Sequence, residues 1–473
     1  MWNSLSSFII KFRLLFLIFI AGVTFFMAQN AVNVEYSVER AKILPSSHQV
    51  FLDNQNFQNK YGNNQVMAIA ISDSLFFNID RFLFWDSLCA EIKKIKGVEN
   101  IISVNNLSKL EKNSEEKKFE TSKWFDDTLL NQENLDSLVV ELNKQKFYDG
   151  FFNDNNDGAL VLIDLDSEIV ISKNRDDLVF SIKEISEIYS KKYNTRIHYS
   201  GMPYMRSVQS VSLKKEILLF IFLTLFITSL ILYLFFRSFK AMFVSVIVVV
   251  LGVIFAFGFI EVLDYKITLL TALVPPVLIV IGIPNCIFLI NKFHNEYRKN
   301  NNKIKSLKIM IGKIGNITLL TNITTATGFA AFLLTNSQSL QEFGLIASIN
   351  ILVIYILSLC LIPIFFSFFS PPKPNHTKHL DRKWVVSIVD YLIFLVNNKR
   401  SAIYTVTLIA LLLSIFGLSK MNLTGNLSDD FNKRDTLYKD LKYFENKYKG
   451  VLPLEILVDT KKKNGLFKSY NLK

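Results

Sequence analysis

Residues 267–291 read ITLLTALVPPVLIVIGIPNCIFLIN, a stretch of 25 residues without Asp, Glu, Lys or Arg. A helix needs about 20 apolar residues to cross the hydrocarbon core of a bilayer. Six further uncharged stretches of similar kind occur at 14–34, 217–236, 241–260, 314–341, 343–372 and 401–419. The sequence therefore predicts a membrane α-helical protein with seven transmembrane helices, and it argues against a soluble enzyme.

The net charge of +12 is concentrated in alternate links between these stretches. Link 292–315 carries seven Lys or Arg against one Glu, and link 370–400 carries six against two Asp. Links 261–266 and 336–343 are slightly acidic. This alternation follows the positive-inside rule, so the basic links predict membrane topology rather than nucleic-acid binding.

The charge pattern predicts a multi-pass protein with a cytoplasmic N-terminus. Lys11 and Arg13 precede the first span, and no small-x-small cleavage pattern follows it, so we expect a retained anchor and not a signal peptide. The predicted domains are an N-terminus with helix 1 (1–34), an outer domain (35–213), a five-helix bundle (214–369), a cytoplasmic linker with an interfacial amphipathic helix (370–400), helix 7 (401–420) and the start of a second outer domain (421–473).

The outer segment 35–213 alternates strand and helix patterns. We predict strands at Val66–Ser72, Val98–Val104, Gly158–Leu165 and Arg196–Ser200, and helices at Phe82–Lys96, 132–146 and Ser172–Tyr193. Two β-α-β units in succession are typical of the ferredoxin-like fold. The sequence thus predicts a folded α+β domain.

An internal repeat links the two ends of the chain. The span at 14–34 and the span at 401–419 are each followed by a helical segment ending in Lys-Tyr and then by an apolar strand pattern. The second strand pattern, Pro453–Asp459, is followed only by a polar tail. We therefore expect a second half, either as a longer chain or as a partner chain.

The usual patterns of enzymes and metal sites are missing from the sequence. Cys89, Cys286 and Cys360 read as small buried hydrophobic residues, and no Walker loop or nucleophile elbow is present. The segment 153–164 only loosely matches a calcium loop and is interpreted as a polar turn. We expect no enzymatic activity, no metal and no cofactor.

Six segments resemble one family of membrane proteins. They are Ile102–Leu107 (ISVNNL), Gly201–Arg206 (GMPYMR), Val280–Glu296 (VIGIPNCIFLINKFHNE), Thr321–Phe329 (TNITTATGF), Gln341–Gly344 (QEFG) and Leu361–Pro363 (LIP). Together with the order of spans and outer segments, they resemble the resistance–nodulation–division (RND) superfamily, in its branch of mycobacterial large membrane proteins (MMPL) and Patched-like proteins. The resemblance implies a porter-like outer domain in the periplasm and proton-driven efflux of a hydrophobic or lipid-like molecule from the bacterial inner membrane.

One departure from the family pattern concerns the proton relay. The family usually has an acidic residue two positions after the glycine of span four, whereas here Gly282 is followed by Ile283, Pro284 and Asn285. Carboxylates are the usual intramembrane proton carriers, and neither Pro nor Asn titrates. Either a missing half supplies the carboxylate, which the proton-antiport prediction requires, or the coupling differs, or the protein is not driven. The alternatives are a non-transporting accessory or sensor protein, and a half-transporter that needs a partner chain; a homo-oligomer is a further possibility.

Span four concentrates residues that disturb a helix. It carries Pro275, Pro276 and Pro284, followed by Asn285 and Asn291. In the functional interpretation this helix is bent and partly unwound, lines the transport path, and uses Asn285 to orient water or a partner group. In the structural interpretation neighbouring helices accommodate the kinks, and Asn bonds across an interface.

Span five carries a polar face. Thr318, Thr321, Asn322, Thr325 and Gly328 follow one another at helical spacing. Either this face packs closely against another helix, or it forms a polar relay at mid-membrane. The candidate transport-path or relay residues are therefore Pro284, Asn285, Asn291, Thr321, Asn322, Thr325 and Asn350.

Overall fold

The chain divides into two compact units, one made of long apolar helices and one built around a β-sheet. The helical unit comprises Met1–Tyr61 and Gln209–Thr424, and the sheet unit comprises Gly62–Val208 and Gly425–Lys473. A computed structural model describes residues 2–36, 48–61, 65–113, 118–125, 131–144, 158–372, 383–421 and 433–448.

The helices, in chain order, are α1 (Trp2–Lys11), α2 (Arg13–Asn33), α3 (Gln49–Tyr61), α4 (Ile79–Lys93), α5 (Gln132–Asn143), α6 (Ser167–Ile171), α7 (Arg175–Tyr193), α8 (Met202–Phe236), α9 (Phe239–Val262), α10 (Val274–Asn300), α11 (Lys303–Ala330), α12 (Gln338–Phe368), α13 (Lys383–Asn398), α14 (Arg400–Ser419) and α15 (Thr436–Tyr448). The strands are β1 (Gln65–Ser72), β2 (Val98–Ser103), β3 (Ser108–Asn113), β4 (Lys118–Lys123), β5 (Gly158–Leu165) and β6 (Arg196–Ser200).

Seven helices of the described residues are long and apolar enough to cross a membrane. They are α2, α8, α9, α10, α11, α12 and α14, and each overlaps one of the uncharged stretches. The number and order of these candidate spans agree with the prediction. The chain is a multi-pass membrane protein.

Helices α10 and α11 extend beyond their uncharged stretches and meet in a two-residue turn. α10 continues to Asn300, and α11 already begins at Lys303. Asn301 ends α10 in a left-handed conformation (φ 49°), and the Asn302 side chain accepts a hydrogen bond from the backbone N–H of Lys305 at 3.0 Å. The uncharged stretch marks the apolar part of a span, whereas caps decide where the helix ends.

The core of the helical unit is formed by α9, α10, α11 and α12, which pack against one another. Ile354 of α12 is fully buried and fills a notch made by two glycines. A Cβ placed on Gly252 of α9 would lie 2.4 Å from Ile354 Cγ1, and one on Gly282 of α10 would lie 2.9 Å from Ile354 Cγ2. This isoleucine notch (Gly252, Gly282, Ile354) lets three helices approach closely. α14, in contrast, has no buried residue.

The prolines of span four do not unwind it. Pro275 and Pro276 occupy the first turn of α10, where a missing N–H costs nothing and the fixed φ suits the helix. Pro284 lies inside the helix, which continues through it to Asn300. The structure thus shows α10 as a continuous helix and not a partly unwound one: the first two prolines begin the helix, and the helix continues through the third.

The sheet unit contains a four-stranded sheet in the order β2-β5-β1-β6, with all neighbours antiparallel. Ala68 of β1 pairs with Leu162 of β5 on one side and with Ser200 of β6 on the other. The two predicted β-α-β units are present as β1-α4-β2 and β5-α7-β6. They interleave, because the two central strands belong to different units.

Helices α4 and α7 pack on each other and carry the largest buried side chains of this unit. Trp85, Phe82 and Tyr189 join Met67 and Ile69 of β1 in one hydrophobic core. The predicted strands agree with the observed ones to within one residue at each end, and the predicted helices to within three. Alternating and helical apolar patterns were thus sufficient to locate these elements.

Helix α15 packs on the edge strand β6, although more than 230 residues separate them. Leu437 and Leu441 enter the hydrophobic core of the sheet unit, and Phe444 is also buried. These residues follow at helical spacing and need an apolar surface to cover them. The structure thus groups α15 with the first sheet, whereas the domain prediction gave 421–473 to a second outer domain.

The hairpin β3–β4 was not predicted. Its strands pair from Ser108 with Lys123 to Asn113 with Lys118, and their sequences are too charged to give an alternating apolar pattern. Segment 383–398 is the helix α13, and its interfacial position remains a prediction. The strand pattern at 453–459 and residues 153–157 of the calcium-like segment lie outside the described residues, and residues 158–164 of that segment belong to β5.

Candidate functional site in the helix bundle

Two of the predicted site residues bond to each other between α10 and α11. Nδ2 of Asn285 donates to Oδ1 of Asn322 at 3.0 Å, and Nδ2 of Asn322 donates to Oδ1 of Asn285 at 2.9 Å. Asn285 is 4% and Asn322 is 2% exposed. We refer to this reciprocal contact as the amide bridge (Asn285, Asn322).

The amide bridge is nearly saturated with hydrogen bonds. Asn322 also donates to the backbone carbonyl of Thr318 at 2.6 Å, so both of its N–H groups and its oxygen are engaged. Thr318 is buried, and its hydroxyl donates to the backbone carbonyl of Ile314 at 2.9 Å. Amides donate and accept hydrogen bonds but do not titrate, so the bridge can join two helices or orient one group and cannot carry a proton.

The other predicted residues of span five do not face the bridge. Thr321 is exposed, and its hydroxyl donates to the backbone carbonyl of Ile317 at 3.1 Å. Thr325 is half-buried and donates to the carbonyl of Thr321 at 2.8 Å. The predicted polar face is therefore divided: Thr318 and Asn322 point into the bundle, while Thr321 lies on its outer side. On span four, Pro284 is exposed and Asn291 half-buried.

Asn350 of α12 is separate from the amide bridge. It is fully buried, its Nδ2 donates to the carbonyl of Ile346 at 2.8 Å, and its Oδ1 has no partner among the described residues. Ile354 contacts Gly282 in the notch, Asn350 lies four residues before Ile354, and Asn285 lies three residues after Gly282. α10 and α12 run in the same direction, so about 10 Å along the bundle axis separates the two amides.

One further contact ties α11 to α12. The Tyr355 hydroxyl donates to the backbone carbonyl of Gly315 at 2.9 Å. The only signal for it in the sequence is a tyrosine in an otherwise apolar span, since a buried Tyr hydroxyl usually finds an acceptor. Amide bridge, tyrosine bond and isoleucine notch together connect α9, α10, α11 and α12.

The sheet unit has a buried charge cluster of its own. Nη1 of Arg81 lies 2.7 Å from both carboxylate oxygens of Asp73, and the Tyr189 hydroxyl donates to Asp73 at 2.7 Å. Burial, then the hydrogen bond to Asp73, raises the pKa of Tyr189, and the bond to Asp73 raises the pKa of Arg81. The negative charge of Asp73 is thus paired with the Arg81 guanidinium and hydrogen-bonded by the Tyr189 hydroxyl. Such an arrangement is typical of a structural contact that holds β1, α4 and α7 together.

A second buried pair holds α15 to β6. Nδ1 of His198 lies 2.8 Å from Oδ1 of Asp440, and the Tyr443 ring stacks on the imidazole at 3.8 Å with 9° between the planes. His198 is 5% and Asp440 is 1% exposed. Sequence reasoning missed this pair, because no local pattern connects residues 242 positions apart.

No group of three or more His, Cys, Asp or Glu side chains in the described ranges is arranged to hold a metal ion. The three cysteines are buried apart from one another as free thiols, and burial raises the pKa of Cys89. The polar groups buried between α10 and α11 around Asn285 and Asn322 are therefore hydrogen-bonded amides and hydroxyls.

Comparison with known proteins places the whole arrangement in a family. The sequence model of the MMPL family matches residues 86–392, from within α4 to within α13, and so includes the amide bridge and the isoleucine notch. No curated protein matches the chain. The family match covers well over half of the chain and agrees with the resemblance found in the sequence: the protein belongs to the MMPL family.

Proposed function

We propose that this MMPL-family protein exports a hydrophobic or lipid-like molecule from the bacterial inner membrane. Its membership of the family and its seven candidate spans are consistent with a transporter-like role. In this proposal the N-terminus and the basic links lie in the cytoplasm. The sheet unit is then a periplasmic ferredoxin-like domain, an assignment supported by the interleaved strand order β2-β5-β1-β6.

The observation on which the mechanism rests is the amide bridge. Two hydrogen bonds, at 3.0 and 2.9 Å, hold α10 and α11 together as one hairpin. The isoleucine notch and the bond from Tyr355 to Gly315 join this hairpin to α9 and α12. In the proposed mechanism, rocking of the sheet unit is coupled to these packed helices and opens and closes a path for the cargo.

Proton antiport remains the proposed energy source, with its carboxylate outside these spans. Pro284 occupies the position where the family usually has an acidic residue, and Asn285 of the amide bridge follows it, so neither residue titrates. A second half or a partner chain would bring the titrating carboxylate to the neutral hairpin. Binding of cargo and binding of protons would thereby be divided between two bundles.

The test is efflux of a fluorescent lipophilic dye and of envelope lipid from cells that express the complete gene, with the deletion strain as reference. We expect expression to lower dye accumulation, an uncoupler to abolish this effect, and Asn322→Leu to reduce efflux several-fold more than Asn350→Leu. Efflux and envelope lipids that are unchanged by deletion and by the uncoupler would instead indicate an accessory or sensor role.

A further inference from the structure

Three cations from three different helices converge on the end of α12. Nζ of Lys303 donates to the backbone carbonyls of Ser367 at 2.7 Å and Phe369 at 3.0 Å. Nη1 of Arg13 donates to the Ser367 hydroxyl at 3.1 Å, and Nζ of Lys240 lies 2.6 Å from the Ser370 hydroxyl. We call Arg13, Lys240 and Lys303 the cation rim.

The cation rim carries more positive charge than its protein partners balance. The carbonyl end of a helix is equivalent to about half a negative charge, whereas the rim contributes three positive charges. None of the carboxylates in the described part of the chain lies within ion-pair distance of these three side chains. About two positive charges are thus left to be balanced by something outside these residues.

The ends of the helices place the rim at one side of the bundle. Arg13 begins α2, Lys240 lies in the first turn of α9, and Lys303 begins α11, while α12 ends at Phe368. Successive spans alternate in direction, so these four ends lie on the same side of a membrane. That side also carries the basic links 237–240 and 292–315.

Aromatic rings accompany the cations. The Arg13 guanidinium lies 4.3 Å from the centre of the Phe368 ring, and Nζ of Lys240 lies 5.5 Å from that of Phe369. The neighbouring Phe239 is 66% exposed. Long cationic side chains at the ends of transmembrane helices extend to the headgroup level of a bilayer and keep their apolar stems against the protein. We therefore expect the rim to lie at the level of lipid headgroups.

We propose that the cation rim binds the phosphate of an anionic phospholipid headgroup, in the leaflet that faces the basic links. A guanidinium and two ammonium groups supply donors and charge for a phosphodiester, and basic pockets between transmembrane helices are a known mode of binding such headgroups. The lipid phosphate thereby joins α2, α9 and α11 at the end of α12.

The test measures binding of phosphatidylglycerol to the purified full chain in phosphatidylcholine nanodiscs, by native mass spectrometry and by thermal unfolding. Lys240→Gln/Lys303→Gln should weaken phosphatidylglycerol binding about 25-fold, since one cation near a membrane surface contributes about 5-fold. Lys299→Gln/Lys305→Gln removes the same charge from exposed positions outside the rim and, because salt screens charges that do not contact the phosphate directly, should weaken binding clearly less than the rim variant does.

Two further arms keep the test decisive. Lys240→Gln alone, at an exposed lysine, should weaken binding about 5-fold even if loss of Lys303 disturbs the end of α12. Inorganic phosphate at the same concentrations should not stabilise the chain against thermal unfolding. Equal losses in both double variants, equal binding of phosphatidylcholine, or full protection by inorganic phosphate would each overturn the headgroup site.

Discussion

Replacing Asn322 by Leu breaks the amide bridge from one side. The variant loses both hydrogen bonds between α10 and α11, and it leaves the Asn285 amide buried without a partner. Bonds between transmembrane helices contribute about 0.6 kcal/mol on average and about 1.7 at most, so two of them amount to about 1–3 kcal/mol. An unpaired buried amide costs a further 1–3 kcal/mol or so. We expect a total destabilisation of about 2–6 kcal/mol.

The double variant Asn285→Leu/Asn322→Leu distinguishes the free energy of the amide bridge from the destabilisation that either substitution would cause by itself. Removing both amides leaves no unpaired polar group between the helices, and such replacements are close to neutral. We therefore expect the double variant to be destabilised by only about 0–2 kcal/mol. The two single effects should thus exceed the double effect by at least about 2 kcal/mol, which is the coupling between the side chains.

The assay is equilibrium unfolding of the full chain in mixed micelles, titrated with sodium dodecyl sulfate and followed by circular dichroism. Asn350→Leu is the matched control, because among the described residues this amide bonds to its own helix and its oxygen has no partner. This variant should stay within about 1 kcal/mol of the wild type or stabilise it. Strictly additive effects at Asn285 and Asn322, or a loss in Asn350→Leu as large as theirs, would refute the role assigned to the bridge.

Three further predictions concern packing and the sheet unit. Gly282→Ala should destabilise the bundle by about 1–3 kcal/mol, because its Cβ would lie 2.9 Å from Cγ2 of Ile354, and the same substitution should cost less in an Ile354→Ala background, which lacks that Cγ2, in the same assay. Asp440→Ala should speed hydrogen exchange across 436–448, since it leaves His198 without its buried partner; exchange unchanged by the substitution would contradict the anchoring role. Tyr189→Phe should cost about 1–3 kcal/mol, measured by thermal unfolding, because it removes a hydrogen bond to the buried Asp73 carboxylate, and a stability equal to that of the wild type would argue against this anchor.

Local patterns predicted the elements of this fold well, because the forces that select them act over short distances. Uncharged stretches located all seven long helices, and alternating apolar residues located β1, β2, β5 and β6. The hairpin β3–β4 was not predicted, because its charged strands show no apolar alternation. The prolines of span four suggested an unwound helix that the structure does not show. A proline disrupts a helix in its interior but favours helix initiation in the first turn, where Pro275 and Pro276 lie.

The candidate site was predicted only in part. Helical spacing brought Thr318 and Asn322 to one face, and family position brought attention to Asn285. Spacing alone could not tell that Thr321 lies on the outer side, because the predicted face is broader than the contact between two helices. Nor could it separate Asn350 from the bridge, since this depends on how far α12 is shifted along α10.

The sequence alone determines the order of spans, the alternation of basic and slightly acidic links, and the absence of a carboxylate from the uncharged stretches. Each of these features depends only on residue type and on position along the chain. The partners of the amide bridge, the glycines that Ile354 fills, and the attachment of α15 to β6 follow only from the tertiary structure. These contacts join residues between 37 and 242 positions apart. The apolar periodicity of one helix or strand predicts which of its faces is buried, but not where the neighbouring element lies or how it is rotated.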